Sequence, residues 1–203
     1  VIVEGVLTTR DFDGRTNVAA MGVLMEESSV GSNGIWCTFR LRPFEGSRTF
    51  ANLRESGCGV FHLVDDVELL ARAALGDPGN VTTEPAETID GRTLTACVRA
   101  FEFVVESADW SQPRANLLCK VTRTHRRRDW IGWNRAQHAV LELTISATRV
   151  SMIEREMIED QIRQLTPLVE KTAGPRESAA WRFVLGFLET AWSKETSHSG
   201  GKP

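Results

Sequence analysis

Two runs rich in β-forming residues, VIVEGVLTT and TNVAAMGVLM, open the chain, and the RDFDGR between them carries an Asp13-Gly14 turn signal, so the pattern predicts a hairpin. The next run, GIWCTFRLR, alternates with a period of two. Ile35, Cys37, Phe39 and Leu41 fall on one face and Trp36, Thr38, Arg40 and Arg42 on the other, predicting a third strand with a basic end. In SRTFANLRES, Phe50 and Leu53 stand three apart ahead of Gly57, which suits a short helix closed by a left-handed residue. CGVFHLVDD supplies a fourth strand, and DDVELLARAAL a helix capped by Asp65 or Asp66. GDPGNVTTEPAETIDGRTL is then a long connection punctuated by Pro and Gly. AFEFVVESAD and ANLLCKVTRTHR, joined through WSQPR, bring the strands to about six and predict a barrel.

The period changes after Asn134, a candidate cap. Ala136, Ala139, Val140, Leu143 and Ala147 form one apolar stripe, as on an amphipathic helix. EREMIEDQIRQLTPLVEKTAG and PRESAAWRFVLGFLETAWSK are both helical in period and meet at Gly174-Pro175, which predicts a helical hairpin whose first arm Pro167 would kink. The expected organisation is a β-barrel domain over 1–150, a helical hairpin over 151–195 and a flexible tail over 196–203.

Composition narrows the class of protein. At 203 residues, 41% hydrophobic and 25% charged, the chain suits one substantial domain with an appendage. A net charge of −3 provides no global field for collecting nucleic acid or an anionic membrane. No apolar run approaches the roughly 18 to 20 residues that span a bilayer, and VIVEGVLTTRD lacks a basic region followed by an apolar one, so the expectation is a cytoplasmic protein. Cys37, Cys58, Cys97 and Cys119 stand far apart without a CxxC pair or a histidine at ligand spacing, which predicts reduced structural thiols and no metal site.

The stretch RLRPFEGSRTFANL carries the chemistry. Arg40 and Arg42 share a strand face, and the helix that follows opens with unpaired backbone N–H groups and the positive end of its dipole. Ser47 and Thr49 add hydroxyls, and Arg48 a guanidinium suited to bidentate contact, so the pieces together make a seat for a terminal phosphate. A plain alternative stands beside this one: Ser47 or Thr49 only caps the helix, and the arginines are solvated or paired with Glu45 and Glu55. Asn17, Ala19, Ala20 and Gly22 offer small residues where backbone approaches a planar ligand, or a barrel corner that excludes bulk.

Other features have more than one reading. THRRRDWIGWNR mixes Arg126, Arg127, Arg128 and Arg135 with Trp130 and Trp133, which fits a solvated or ion-paired face, an anionic small molecule, or RNA. His138 lies one helical turn after Asn134, near a ligand or simply structural; His62 reads as core or interface; Asp65 and Asp66 read as caps or as substrate-orienting groups. No Ser-His-Asp or Cys-His arrangement is defensible at these spacings, so no catalytic residue is assigned.

TTRDFDGRTNVAAMGV, RPFEGSRTFANL, LVDDVELLARAALGDP, GWNRAQHAVLELTISATR and LVEKTAGPRE, in this order, resemble the DUF447 family of flavin reductase-like proteins over nearly the whole chain. The resemblance implies a mainly β fold with α, the FMN-binding split β-barrel, followed by a C-terminal helical hairpin. It implies a homodimer with FMN near the subunit interface. Arg42, Ser47, Arg48, Thr49 and Asn52 would then contact phosphate and ribityl, and Thr9, Asn17, Ala19 and Met21 would neighbour the ring. Trp133, Asn134 and His138 would approach flavin, the first two that of the partner subunit. Where relatives read Asn-x-Ala-Pro-Met-Gly this chain has Ala20, which removes a fixed φ and restores an N–H. The implied activity is an FMN-dependent oxidoreductase acting on free flavin or a small soluble substrate, a pterin among the candidates, with NADH, NADPH or a deazaflavin as electron donor. The competing implication is a non-catalytic FMN carrier or sensor.

Overall fold

The computed structural model describes residues 1–32 and 34–199. Its strands are β1 (Ile2–Arg10), β2 (Thr16–Leu24), β3 (Thr38–Leu41), β4 (Cys58–Leu63), β5 (Thr83–Pro85), β6 (Arg92–Leu94), β7 (Arg99–Asp109) and β8 (Asn116–Arg126), and its helices α1 (Arg48–Ser56), α2 (Val67–Ala74), α3 (Arg135–Ala147), α4 (Arg155–Thr172) and α5 (Pro175–Ser199). The predicted hairpin is present. β1 and β2 pair antiparallel from Ile2↔Leu24 to Arg10↔Thr16, and Gly14 turns the chain at φ 77°, a conformation that costs a residue with a Cβ but not glycine.

Six strands close a barrel in the order β1-β2-β3-β8-β7-β4. Leu7, Phe39, Leu41, Phe61, Phe103 and Leu117 are wholly buried inside it, each side chain contributing about 1.5 to 3 kcal/mol by leaving water. Gly5 leaves room for the Phe61 ring, which a Cβ would strike. The seam between β2 and β3 consists of one registered pair, Leu24↔Arg40, so residues 16–23 have a ladder partner only on the β1 side.

The third strand differs from its predicted pattern. Pairing with β8 begins only at Thr38; ahead of it Trp36 bridges Val30, and the Cys37 amide donates to the Ser29 carbonyl at 2.8 Å. The alternation is therefore broken: Ile35 and Cys37 are exposed, while Trp36 turns inward and stacks on Phe101 at 4.4 Å between ring centroids. Burying the indole, the largest apolar surface nearby, outweighs strict alternation over three residues.

The long connection before β7 folds into the small β5–β6 sheet and lies across the outer side of the barrel strands. Outward-facing polar residues hold it. Thr8 donates to the Arg92 carbonyl at 2.5 Å, His62 accepts from the Leu94 amide at 3.0 Å, and Glu102 accepts from the amides of Glu87 and Thr88 at 2.8 and 2.7 Å.

By packing, the described residues form two units: 1–65 with 79–130, and 66–78 with 131–199. The boundary by packing falls near 130, where 150 was expected, because the alanine stripe of α3 belongs to one apolar cluster with other helices. α2, α3, α4 and α5 share one apolar cluster around Ala139, Val140, Leu143, Ile158, Val184 and Leu188. Asn134 caps α3 as predicted, its Oδ1 accepting from the Ala136 and Gln137 amides at 2.8 and 3.1 Å. Asp66, not Asp65, caps α2. Pro167 sits inside α4, and α5 continues through Ser199, so residues 196–199 of the expected tail are helical while 200–203 lie outside the described residues.

Candidate functional site

At one end of the barrel, α1 packs against β1 and β2. Leu7 points into the core, and Thr9, two residues on, projects from the same face at the barrel mouth. Four side chains meet there. Asn52 Nδ2 donates to Thr9 Oγ1 at 2.9 Å, and Asn17 Nδ2 lies 3.1 Å from Thr49 Oγ1 and 3.5 Å from Thr9 Oγ1. Thr9, Thr49 and Asn52 are buried, and Asn17, opposite Thr9 in the β1–β2 register, is half-buried. Ala19 and Met21 follow Asn17 on the same face of β2, both half-buried, with Met21 touching the core.

The first turn of α1 holds no acidic residue. Arg42 and Arg48 are exposed, and among the described residues neither has a hydrogen-bond or ion-pair partner, so Glu45 and Glu55 do not neutralise them. Arg40 is different: its guanidinium lies 3.2 Å from Glu26 Oε1 and is spent there. Ser47 is the helix cap in full, accepting from the Phe50 amide at 3.1 Å and donating to the Phe44 carbonyl at 2.7 Å. Its hydroxyl proton is already committed, so the plain reading describes Ser47, while the amides of Arg48 and Thr49 have no helical carbonyl to reach. The turn carrying these residues is pinned by the Glu45 amide to Pro113 at 2.8 Å and by the Ala115 amide to Pro43 at 3.1 Å.

Trp133, Asn134 and His138 belong to the second unit. Trp133 is wholly exposed, His138 is exposed, and Asn134 is fully engaged, its Nδ2 donating to the Thr172 carbonyl at 3.1 Å in addition to the cap bonds. The arginine cluster is ion-paired: Arg126 with Asp129, Arg127 with Glu84, and Arg128 with Asp65 at 2.6 Å for one of its two contacts. Asp65 is thereby a partner for arginine and not a cap.

Of the polar residues that hold the connection, His62 alone stands out in the sequence. Its Nδ1 donates to the Val6 carbonyl at 3.0 Å, and burial, against the opposing effect of that bond, lowers its pKa to about 4. Glu102 also accepts from the Thr88 hydroxyl and from His125 Nε2, both at 2.7 Å. Burial pushes its carboxyl up, yet the Glu87 amide, the Thr88 hydroxyl and amide, and His125 together hold it below the usual carboxylate range. The available signal was an acidic and a basic side chain at outward positions of neighbouring strands. Cys97 is pushed up to about 11 by burial, and all four cysteines are free thiols. Among the described residues no cluster of metal-ligating side chains occurs and no helix is long and apolar enough to cross a membrane.

Residues 3–128 match the N-terminal domain model of a protein family of unknown function, DUF447, and residues 134–186 match its C-terminal model. The chain belongs to the DUF447 family. Among solved structures, an FMN-bound DUF447 protein from Methanosarcina mazei superposes with a TM-score of 0.76 at 22% identity, covering 92% of this chain and 94% of that one. A flavoredoxin from Methanosarcina acetivorans gives 0.53 at 12% identity, over 64% and 72% of the two chains. An FMN-binding protein from Thermus thermophilus gives 0.50 at 12%, over 62% and 70%. No curated protein sequence matches the chain. The DUF447 chain thus has the flavin reductase-like barrel fold, with C-terminal helices beyond it.

Proposed function

We propose that the barrel unit binds FMN, its phosphate at the start of α1 and its ring along β2. One observation carries this: two arginines without counter-ions among the described residues, Arg42 and Arg48, flank a helix N-terminus free of acidic residues, beside the buried hydroxyl and amide groups of Thr9, Thr49, Asn17 and Asn52. These groups suit a dianionic phosphomonoester with hydroxyl-bearing carbon beyond it. The related DUF447 protein from Methanosarcina mazei is FMN-bound, which agrees. Bound flavin would supply hydride or electron transfer, and the protein's part is to seat the phosphate, align the ring against Ala19 and Met21, and limit water.

The activity we infer is an FMN-dependent oxidoreductase acting on free flavin or a small soluble substrate, with NADH or NADPH as donor. The assembly we infer is a homodimer with FMN near the interface, supported by the unpaired edge of β2 and by Trp133, whose indole is fully exposed in the isolated chain. Trp133 and Asn134 would then face the partner's flavin, and His138 would lie close by. A second reading, an FMN carrier or sensor, is favoured by one specific fact. Within the barrel unit, Thr9, Asn17, Ala19, Met21, Arg42, Ser47, Arg48, Thr49 and Asn52 include no histidine, cysteine or carboxylate to serve as acid or base.

Flavin titration followed by fluorescence quenching tests the seat. Arg42→Ala with Arg48→Ala is expected to weaken FMN by about 2 to 4 kcal/mol and riboflavin far less, since each exposed guanidinium contributes roughly 1 to 2 kcal/mol to phosphate binding. Equal losses for both flavins would remove the phosphate from α1. Anaerobic addition of NADH or NADPH to the FMN-loaded protein then separates the two roles, because bleaching of the flavin absorbance is expected of the enzyme and not of the carrier.

A further inference from the structure

We infer that Asn17 sets the direction of two buried hydroxyl protons and so makes Thr9 and Thr49 hydrogen-bond donors toward a phosphate oxygen of the ligand. This rests on the FMN reading and deepens it, because it names the groups that would distinguish a phosphorylated flavin from a bare one.

A hydroxyl has one proton and two lone pairs. Thr9 Oγ1 receives an amide hydrogen from Asn52 at 2.9 Å and faces Asn17 Nδ2, a second donor, at the longer distance of 3.5 Å, and Thr49 Oγ1 receives Asn17 at 3.1 Å. The protons of these two hydroxyls must therefore go elsewhere, and among the described residues neither finds an acceptor, although Thr9 is 2% exposed and Thr49 3%. Other threonines of the chain behave differently. Thr8 donates to Arg92, and Thr144, Thr166 and Thr172 each donate at 2.7 Å to the carbonyl four residues back. Thr49 has no such outlet, because its residue four back, Glu45, lies in the turn before α1.

A buried donor without an acceptor is costly, and an incoming oxygen anion relieves two of them at once while meeting the free amides of the first helical turn. The orientation of Asn17 controls this. Its Nδ2 toward the hydroxyls sends both protons outward; its Oδ1 turned toward them would consume both protons inside the protein and leave lone pairs facing the phosphate. β2 fixes the side chain opposite Thr9, so the choice lies in a single carboxamide rotation.

The test is a double-mutant cycle read as FMN and riboflavin affinities by fluorescence titration. Thr49→Val is expected to weaken FMN roughly tenfold or more with little effect on riboflavin, and Thr49→Ser, which restores the hydroxyl, to recover the affinity. Asn17→Asp, whose carboxylate can only accept, should weaken FMN at least as much. Adding Thr49→Val to Asn17→Asp should then cost little more, because the proton has already been withdrawn. Additive losses, or an unchanged FMN to riboflavin ratio in Thr49→Val, would overturn the assignment while leaving the FMN reading intact. A wild-type protein that binds no FMN would overturn both, and the serine variant separates loss of a proton donor from loss of packing.

Discussion

His62 gives the barrel unit a stability that acid removes over a definable range. The ring is fully buried, donates from Nδ1 to the Val6 carbonyl and accepts at Nε2 from the Leu94 amide, an arrangement that requires neutral imidazole. Burial, partly offset by the Val6 bond, lowers its pKa from 6.5 to about 4. Between those values the unfolded chain holds a proton that the folded chain does not, so stability falls as pH drops from 6.5 toward 4 and levels off below. The shift corresponds to about 3 kcal/mol, or roughly a 300-fold loss of protection for amides that exchange through opening of the unit. The perturbation is His62→Gln, whose carboxamide donates to Val6 and accepts from Leu94 without titrating. Hydrogen exchange of the β4 amides from pH 7 to pH 4, corrected for intrinsic rates, should show the decline in wild type and its absence in the variant. Parallel slopes in the two proteins would refute the account.

The remaining predictions concern groups that hold segments in place. Glu102→Ala removes the acceptor of the Glu87 and Thr88 amides, the Thr88 hydroxyl and His125, and is expected to cost about 2 to 4 kcal/mol locally, seen as faster proteolysis within residues 79–98. Because the Glu102 carboxyl is held below its usual range, its contribution should be present above the unfolded carboxylate pKa and vanish as pH falls through the folded value; protection of that segment followed down to pH 3 would show this. Asn134→Ala should destabilise the helical unit by about 1 to 2 kcal/mol, with Asn134→Asp retaining much of the cap, as measured by exchange of the α3 amides.

Local signals were readable in the sequence where the physics is local. The Asp13-Gly14 turn, the Gly57 helix terminator, the Asn134 cap and the apolar stripe of α3 all depend on residues within a few positions of one another. What escaped depends on distant partners. Arg40 meets Glu26, Asn52 meets Thr9 across 43 residues, and Asn17 meets Thr49 across 32, none of which a spacing rule detects. A period of two places Trp36 outward, but that period ends where ladder pairing ends, and α2 joins the helical unit although it is interleaved with the strands in sequence. The candidate site was visible as a basic turn before a helix; which hydroxyls were already committed was not.

The seam beside β2 makes protein concentration an experimental variable. Sheet rims left bare are usually guarded by lysine, proline or a bulge, yet the residues from Asn17 to Val23 are uncharged and mostly small. If this rim takes up a neighbouring backbone, as the proposed dimer requires, dilute and concentrated samples would differ in how much of it meets water. Flavin affinities measured at micromolar and nanomolar protein should accordingly be compared before either is taken as a property of the lone chain.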